Sequence, residues 1–291
     1  TASREDIHQD ETFGWVQSAL EEQLAEGLRR VAHEEPDVWK QIVRGHSDVI
    51  TGWAVQDNSF FEAVADIVSF RTSRGHLTLP EYTEQSGGTL YYVTRELGSL
   101  QEQMLAEGHG VPVIDASWFA VAPFLHKYAA RHAQTDLVRL DGEGGELLRP
   151  VEDDSFQSLL DWFDRQGVQA QVASFRPHEA PALMFYPEDA EFILESRKAM
   201  GEGEIPDPLA RLMGDYVENL AADKQIEGTL YLNASCPLVR RLAAQESSTG
   251  KGAACTLILQ IARLFSGRTL TARDAANAFG EITKSLDGLL P

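Results

Sequence analysis

Cysteine, basic residues and long apolar runs are all scarce in this sequence. Its 291 residues include two cysteines, Cys236 and Cys255, which excludes a disulfide framework and a zinc site of four thiolates. There are 25 basic and 45 acidic residues, and the net charge of −20 disfavours nucleic acid and anionic membranes as partners. No apolar run reaches the roughly 20 residues of a transmembrane helix, and the first residues do not resemble a signal peptide. These absences favour a soluble protein of the reducing cytoplasm.

Sequence motifs typical of catalysis or ligand binding are also missing. The eight histidines show no metal-ligand spacing, so we interpret His126 and His132 as an exposed pair on a helix. Residues 248–252, Ser-Thr-Gly-Lys-Gly, partly match a phosphate-binding loop. That motif needs glycine where Gln245 stands and serine or threonine where Gly252 stands. We therefore predict a flexible loop at residues 248–252.

Hydrophobic residues make up 43% of the chain, enough for one or two cores, and the length favours two domains. Apolar residues recur every three or four positions through residues 5–31, which predicts one long helix. Pro36 fits the first turn of a second helix, and Asn58 or Ser59 fits the cap of a third. The first seventy residues are thus predicted to be helical.

The chain then alternates between strand and helix patterns. Pro80 suits the first turn of a helix, and Gly87-Gly88 suits a turn before a buried strand. The predicted elements are a strand at 89–94, a helix near 98, a strand at 111–114, a helix at 115–130 and a strand at 136–140. This order predicts an α/β domain.

Residues 142–154 combine glycine, proline and acidic residues, as domain linkers do, and we place a boundary there. Beyond it we predict a helix capped by Asp153 or Asp154, strands at 169–175, 182–186 and 228–233, and helices at 237–242, 253–265 and 271–286.

The last two predicted helices carry more apolar residues than two helices can bury alone, so we expect a second copy of the chain to cover them. The expected dimer-interface residues are Leu257, Ile258, Ile261, Leu264, Phe265, Phe279, Ile282 and Leu286.

Several short phrases of the sequence, in order, resemble the heat-shock protein 90 chaperones. Phe70-Arg-Thr-Ser73, Leu79-Pro-Glu-Tyr82 and Leu90-Tyr-Tyr-Val-Thr94 are similar to a Phe-x-Thr-Ser, Leu-x-x-Tyr, Ile-Tyr-Tyr-Ile-Thr series in that family's middle domain. Ser3-Arg4-Glu5 matches a family motif upstream. Leu232-Asn233 matches a Leu-Asn-Pro phrase of its C-terminal domain, with Ala234 replacing the proline. The resemblance covers essentially the whole chain.

The resemblance implies a piece of a bacterial-type chaperone: the end of the middle domain followed by the dimerisation domain. Residues 1–70 would be a helical connector, 71–149 a small α/β part of the middle domain, and 150–291 an α+β dimerisation domain. Its final helix pair would form a four-helix bundle in the homodimer.

By the same resemblance, Arg4 would contact the terminal phosphate of ATP in the full-length protein, which would also use Mg²⁺. Alternatively, Arg4 is an exposed arginine beside Glu5. This chain would lack the nucleotide pocket, bind no cofactor and be inactive as an ATPase.

The resemblance also places a client-binding helix at residues 188–220. The expected client-binding residues are Trp118, Phe192, Met200, Leu209, Leu212 and Met213. The alternative for Trp118 and its neighbours Phe119, Phe124 and Tyr128, which we place on one helix, is that they are core.

The function implied is that of an ATP-dependent chaperone fragment, cytoplasmic and dimeric, that binds unfolded client proteins and neither nucleic acid nor membrane. An oligomerisation scaffold without clients is one alternative. A small-molecule α/β enzyme is another, and it would use the crevice at the carboxyl ends of the strands between residues 90 and 140.

Overall fold

The structure is a computed structural model that describes residues 11–95, 98–143, 147–187, 190, 228–246, 249–268 and 270–289. The chain is mixed α/β, as the sequence predicts, with two mixed sheets. It divides into two compact units. Unit 1 falls within Thr1–Leu97 and Pro112–Leu137, and unit 2 within Gly98–Val111 and Val138–Pro291.

Three helices open unit 1: α1 (Glu11–Glu34), α2 (Pro36–Gln56) and α3 (Asn58–Val64). Pro36 occupies the first turn of α2, where its missing N–H costs nothing. The carboxylate of Asp57 caps α3 by accepting a hydrogen bond from Phe60 N at 2.7 Å. The three predicted helices are confirmed in the described residues, whereas Ser69 and Phe70, at the end of the region predicted to be helical, begin a strand.

The five-stranded sheet has the order β2-β1-β4-β3-β5. Its strands are β1 (Ser69–Thr72), β2 (Gly75–Thr78), β3 (Thr89–Val93), β4 (Ile114–Asp115) and β5 (Asp136–Arg139), and the unit boundary falls within β5. Strand β1 is antiparallel to β2 and β4, whereas β3 and β4 are parallel. The helices between these strands are α4 (Leu79–Ser86) and α6 (Val121–Arg131) in unit 1 and α5 (Leu100–His109) in unit 2.

The core of unit 1 forms where the helices meet the sheet. The ring of Phe124 from α6 lies 4.7 Å from Phe61 of α3 and 5.2 Å from Phe70 of β1. Lys127 of α6 donates to the carbonyls of Ala54 and Val55, at 2.7 and 3.0 Å, and so satisfies the end of α2. Apolar packing and two hydrogen bonds from a charged ammonium group therefore hold α6 against α2, α3 and β1.

Unit 2 is built on a four-stranded sheet with the order β6-β7-β9-β8. Its strands are β6 (Arg149–Pro150), β7 (Gln169–Ser174), β8 (Ala182–Phe185) and β9 (Thr229–Asn233). Its further helices are the short α7 (Leu140–Glu143), α8 (Gln157–Arg165), α9 (Pro237–Ala244), α10 (Thr249–Phe265) and α11 (Ala272–Asp287). Within the predicted linker, Leu147 and Leu148 are buried and β6 pairs with β7.

Asn233, at the end of β9, fixes the loop after β7. Its buried amide nitrogen donates to the carbonyls of Phe175, Pro177 and Ala180 at 3.2, 3.3 and 2.9 Å. Gln101 of α5 bonds through both amide atoms to the backbone of Met184 on β8, at 2.7 and 3.1 Å. These two buried amides connect the sheet of unit 2 to α5 and to the loop after β7.

Across the part of the chain that the structure describes, no helix combines the length and apolarity needed to span a membrane.

Candidate functional site on the carboxy-terminal helix pair

Helix α10 has a buried side and an exposed side. Cys255, Ile258, Leu259 and Ala262 are buried in the core of unit 2 together with residues of β8 and β9. On the other side, Ile261, Leu264 and Phe265 are 37 to 51% exposed. They are spaced by three and four residues and share one helical face. This helix therefore has apolar residues on both sides, and unit 2 covers only one.

Helix α11 packs against α10 but buries little of itself. A capping box fixes its first turn, since the Thr271 hydroxyl accepts from Asp274 N and the Asp274 carboxylate accepts from Thr271 N, each at 3.2 Å. Of its residues, Ala278 and Ser285 are buried, whereas Phe279 is 64% and Leu286 51% exposed. Phe279 and Leu286 thus lack cover from the described part of their own chain.

We call the exposed set formed by Ile261, Leu264, Phe265, Phe279 and Leu286 the terminal apolar face. Each of these residues belongs to the predicted dimer interface. Of the other predicted members, Ile258 is a core residue, and Leu257 and Ile282 are half-buried. Exposed apolar groups of this kind mark interaction surfaces in soluble proteins.

Trp118, a predicted client-binding residue, lies in unit 1 just before α6. It is 41% exposed, and its ring lies 4.7 Å from that of Phe119, which is 71% exposed. The prediction that both residues belong to the following helix is wrong, because α6 begins at Val121. Phe124 and Tyr128, which do lie on α6, are core residues. The structure thus separates an exposed aromatic pair from a buried one.

The other predicted site residues lie outside the described residues. These are Arg4, Phe192, Met200, Leu209, Leu212 and Met213.

Residues 249–252 do not form the predicted loop. Thr249 begins α10, so that prediction is wrong for the described part of the segment. The ammonium group of Lys251 is buried and donates to the Gln245 carbonyl at 2.8 Å and to Ser158 Oγ at 3.1 Å. Its charge anchors the start of α10 inside unit 2, which explains why a lysine lies here without a phosphate-binding motif.

The two cysteines are buried, and His132 at the end of α6 is stacked on an aromatic ring. Burial raises the pKa of the Cys255 thiol to about 11, so the reactive thiolate is scarce at neutral pH, and Cys236 is also buried. The ring of His132 stacks on Tyr128 at 3.9 Å. Within the described ranges, no three His, Cys, Asp or Glu residues are grouped to hold a metal ion.

A polar cavity of about 270 Å³ lies in unit 1 beside the end of β4, in the crevice that an α/β enzyme would use. Asp115, which lines it, accepts a hydrogen bond from Ser117 Oγ at 2.6 Å and lies 3.5 Å from Arg71 Nη1. The carboxylate is therefore held by its neighbours. The cavity is also smaller than the roughly 300 to 1,000 Å³ of typical ligand pockets.

A second cavity, of about 460 Å³, lies between α10 and α11 and was not predicted. It is lined by polar residues from both helices, among them Gln260 and Arg263 of α10 and Asn277 and Glu281 of α11. The signal in the sequence is that these residues recur at spacings of three and four, where packed helices usually have apolar side chains.

No protein-family model matches this sequence, and no curated protein is significantly similar to it.

Proposed function

We propose that this chain is a segment of a heat-shock protein 90-type chaperone that dimerises through α10 and α11 and binds unfolded client proteins in the cytoplasm. The observation that carries the proposal is the terminal apolar face, which the chain leaves exposed. The element order of unit 1 adds support. Its helices, strand hairpin and alternating strands and helices follow the phrases that resemble the middle domain of that family.

In the proposed dimer, α10 and α11 of two copies form a four-helix bundle around a two-fold axis. Such an axis places the same patch of both copies in contact, so the dimer buries each exposed phenylalanine in both of its copies. Phe265 and Phe279 are about half exposed, and burying the exposed half of one phenylalanine contributes about 1 kcal/mol. Phe265 and Phe279 are therefore the strongest candidates for residues that dominate the interface.

Client binding would use exposed aromatic surface in unit 1, at Trp118 and Phe119. These side chains offer large apolar area to an unfolded chain without disturbing the core formed by Phe124 and Tyr128.

The proposed segment does not hydrolyse ATP, since the nucleotide domain would belong to the longer protein, where Arg4 would contact ATP bound with Mg²⁺. Isothermal titration of this chain with ATP and Mg²⁺ should show no saturable heat at micromolar concentrations. Tight binding would contradict the assignment of these residues to the middle and dimerisation domains.

The dimer is tested by the double substitution Phe265→Glu, Phe279→Glu. Sedimentation should show a dimer for the unaltered chain and a monomer for this variant. The variant removes four rings per dimer at about 1 kcal/mol each, so the expected loss is about 4 kcal/mol, or a roughly thousandfold weaker dimer. Leu100→Glu is the matched control, because Leu100 is a 63% exposed leucine of unit 2 outside the helix pair. An unaltered chain that sediments as a monomer contradicts the proposal.

Client binding is tested by suppression of the aggregation of a heat-unfolded model protein. The chain should suppress light scattering, and Trp118→Ala, Phe119→Ala should suppress it less well. Val49→Ala is the control, because Val49 is an exposed apolar residue elsewhere in unit 1. A chain that dimerises yet leaves aggregation unchanged would be an oligomerisation scaffold instead.

A further inference from the structure

The cavity between α10 and α11 has the size of a small-molecule site. Its volume of about 460 Å³ lies within the roughly 300 to 1,000 Å³ typical of ligand pockets. Alongside the apolar Leu264 and Ala278, the two helices contribute polar residues to its lining, namely Gln260 and Arg263 from α10 and Asn277 and Glu281 from α11. Two helices that only pack against each other would place apolar side chains at these positions.

Gln260 provides the first sign of a ligand. Its side chain is 8% exposed and lines the cavity, yet its amide forms no hydrogen bond with any described residue. Among the described residues, the buried side-chain oxygen and nitrogen atoms without a partner are Ser86 Oγ and Ser99 Oγ, so the amide of Gln260 is not sealed inside the protein and opens into the cavity that it lines. The other two buried side-chain amides described above, those of Gln101 and Asn233, are fully engaged with backbone groups. Gln260 therefore presents an amide with no partner among the described residues to whatever occupies the cavity.

The charges of the cavity provide the second sign. Arg263 of α10 and Glu281 of α11 both line it, and over the described residues neither takes part in an ion pair. The other two charged residues of the lining already have neighbours. The guanidinium of Arg268 lies 4.9 Å from the ring of Tyr186, and the carboxylate of Asp274 accepts from Thr271 Oγ1 at 2.7 Å. One positive and one negative group thus remain to meet a ligand.

We propose that this cavity binds a small zwitterion, a molecule with a carboxylate and an ammonium group joined by a short chain. The planar guanidinium of Arg263 suits the carboxylate and Glu281 suits the ammonium group, while Gln260 and Asn277 supply neutral hydrogen bonds. An anion alone would face the carboxylates of Asp274 and Glu281. A cation alone would face two guanidinium groups.

Leu264 of the terminal apolar face also lines the cavity, but the four polar residues proposed to hold the ligand lie outside that face and belong to one chain, so the site requires neither a second copy nor a client protein. Loss of the dimer and loss of ligand binding are therefore separate results, and sedimentation of the same sample distinguishes them.

The test is isothermal titration of the full chain with glycine, β-alanine and 4-aminobutyrate, which differ in the separation of their charges. Sodium acetate and methylammonium chloride, each with one charge, are the comparison ligands. At least one zwitterion should bind saturably and about tenfold or more tightly than either single-charge ligand.

Two charge-removing substitutions sharpen the test. Arg263→Gln and Glu281→Gln should each weaken the best zwitterion by about tenfold, because each removes one charged partner. Arg273→Gln and Asp287→Asn are the matched controls, since both residues are exposed on α11 and do not line the cavity. They should leave the affinity unchanged. Circular dichroism of each variant confirms that the helices are intact.

Three results would overturn the proposal. One is the absence of saturable heat with all three zwitterions. Another is acetate binding as tightly as the best zwitterion, which would indicate a simple anion site. The third is equal affinity in the unaltered chain and in both Arg263→Gln and Glu281→Gln, which would place the ligand elsewhere.

Discussion

Helix α6 of unit 1 and helix α11 of unit 2 are both amphipathic, but only α6 is covered by its own chain. Helix α6 buries Val121, Phe124, Leu125 and Tyr128. Helix α11 buries Ala278 and Ser285 and leaves its phenylalanine and its leucine at position 286 exposed. The same kind of sequence pattern therefore has two different outcomes within one chain.

An apolar stripe on a helix therefore predicts that this face is buried, but it does not identify which part of the protein or which partner covers it. In unit 1, helices α2 and α3 and strand β1 supply the cover for α6. In unit 2 the core is closed by α10, so α11 lies outside it. A helix in this position gains little from burial within its chain, and its stability depends on what binds it.

The largest difference between the two helices is expected when one phenylalanine ring is removed from each. Phe124→Ala should lower the free energy of unfolding by about 4 kcal/mol, because it empties a fully buried site. Phe279→Ala should change it by less than about 0.5 kcal/mol in dilute, monomeric protein, because that ring is mostly exposed. Urea unfolding followed by circular dichroism measures both. Equal losses in the two variants would mean that α11 is covered by its own chain after all.

A smaller effect is expected from the lysines of the two helices. Lys127→Met should destabilise unit 1 by about 1 to 2 kcal/mol, because it leaves the carbonyls of Ala54 and Val55 without their charged donor. Lys284→Met on α11 is the matched change. The Lys284 side chain is exposed and has no hydrogen bond or ion pair with a described residue, so the free energy of unfolding should change little. Thermal unfolding measures the stability of both variants. Comparable decreases in their melting temperatures would contradict the expected difference between α6 and α11.

Local sequence signals predicted most of the elements because they act over a few residues. Pro36, Pro80 and the glycines before β3 mark starts and turns at the predicted places. The hairpin of β1 and β2 was missed because its strands have only four residues each, too few for a visible alternation. Strand β6 was missed for the same reason, since its two residues pair with β7 from within a stretch rich in glycine and acid.

The site was predictable only in part, because contacts between distant residues decide it. Helix α10 is apolar on more than one side, so its periodicity could not tell that Ile258 faces the core and Ile261 faces outward. Asn233 was interpreted as the end of a strand, but its amide bonds reach residues 53 to 58 positions away. In the sequence, Gln260 looks like any other polar helix residue. Its place in a cavity follows only from the packing of α11 beside α10.

The capping box of α11 should matter more than its apolar residues do in the monomer. Thr271→Ala should cost about 1 kcal/mol, since it removes the acceptor for Asp274 N and the partner of the Asp274 carboxylate. Thr283→Ala, at an exposed position within the same helix, should be neutral or slightly stabilising because alanine is the better helix former. Amide hydrogen exchange of α11 distinguishes them, and equally fast exchange in both variants would argue against the cap.

The smallest expected effect is an acid dependence confined to the same helix. Hydrogen bonds from Thr271 lower the pKa of Asp274. A carboxyl group with a lower pKa in the folded state stabilises that state above its ordinary value, and the contribution is lost as the pH falls through the folded value. The protection factors of the α11 amides, which compare the observed exchange rate with the intrinsic rate at the same pH, should therefore fall below about pH 4, while those of α6, which has no acidic residue in its first turn, change less. Asp274→Asn should reduce this dependence because asparagine can still accept at the cap but does not titrate, whereas Asp287→Asn, at the far end of α11, should preserve it. If α6 and α11 respond alike to acid, the cap is not what distinguishes the exposed helix.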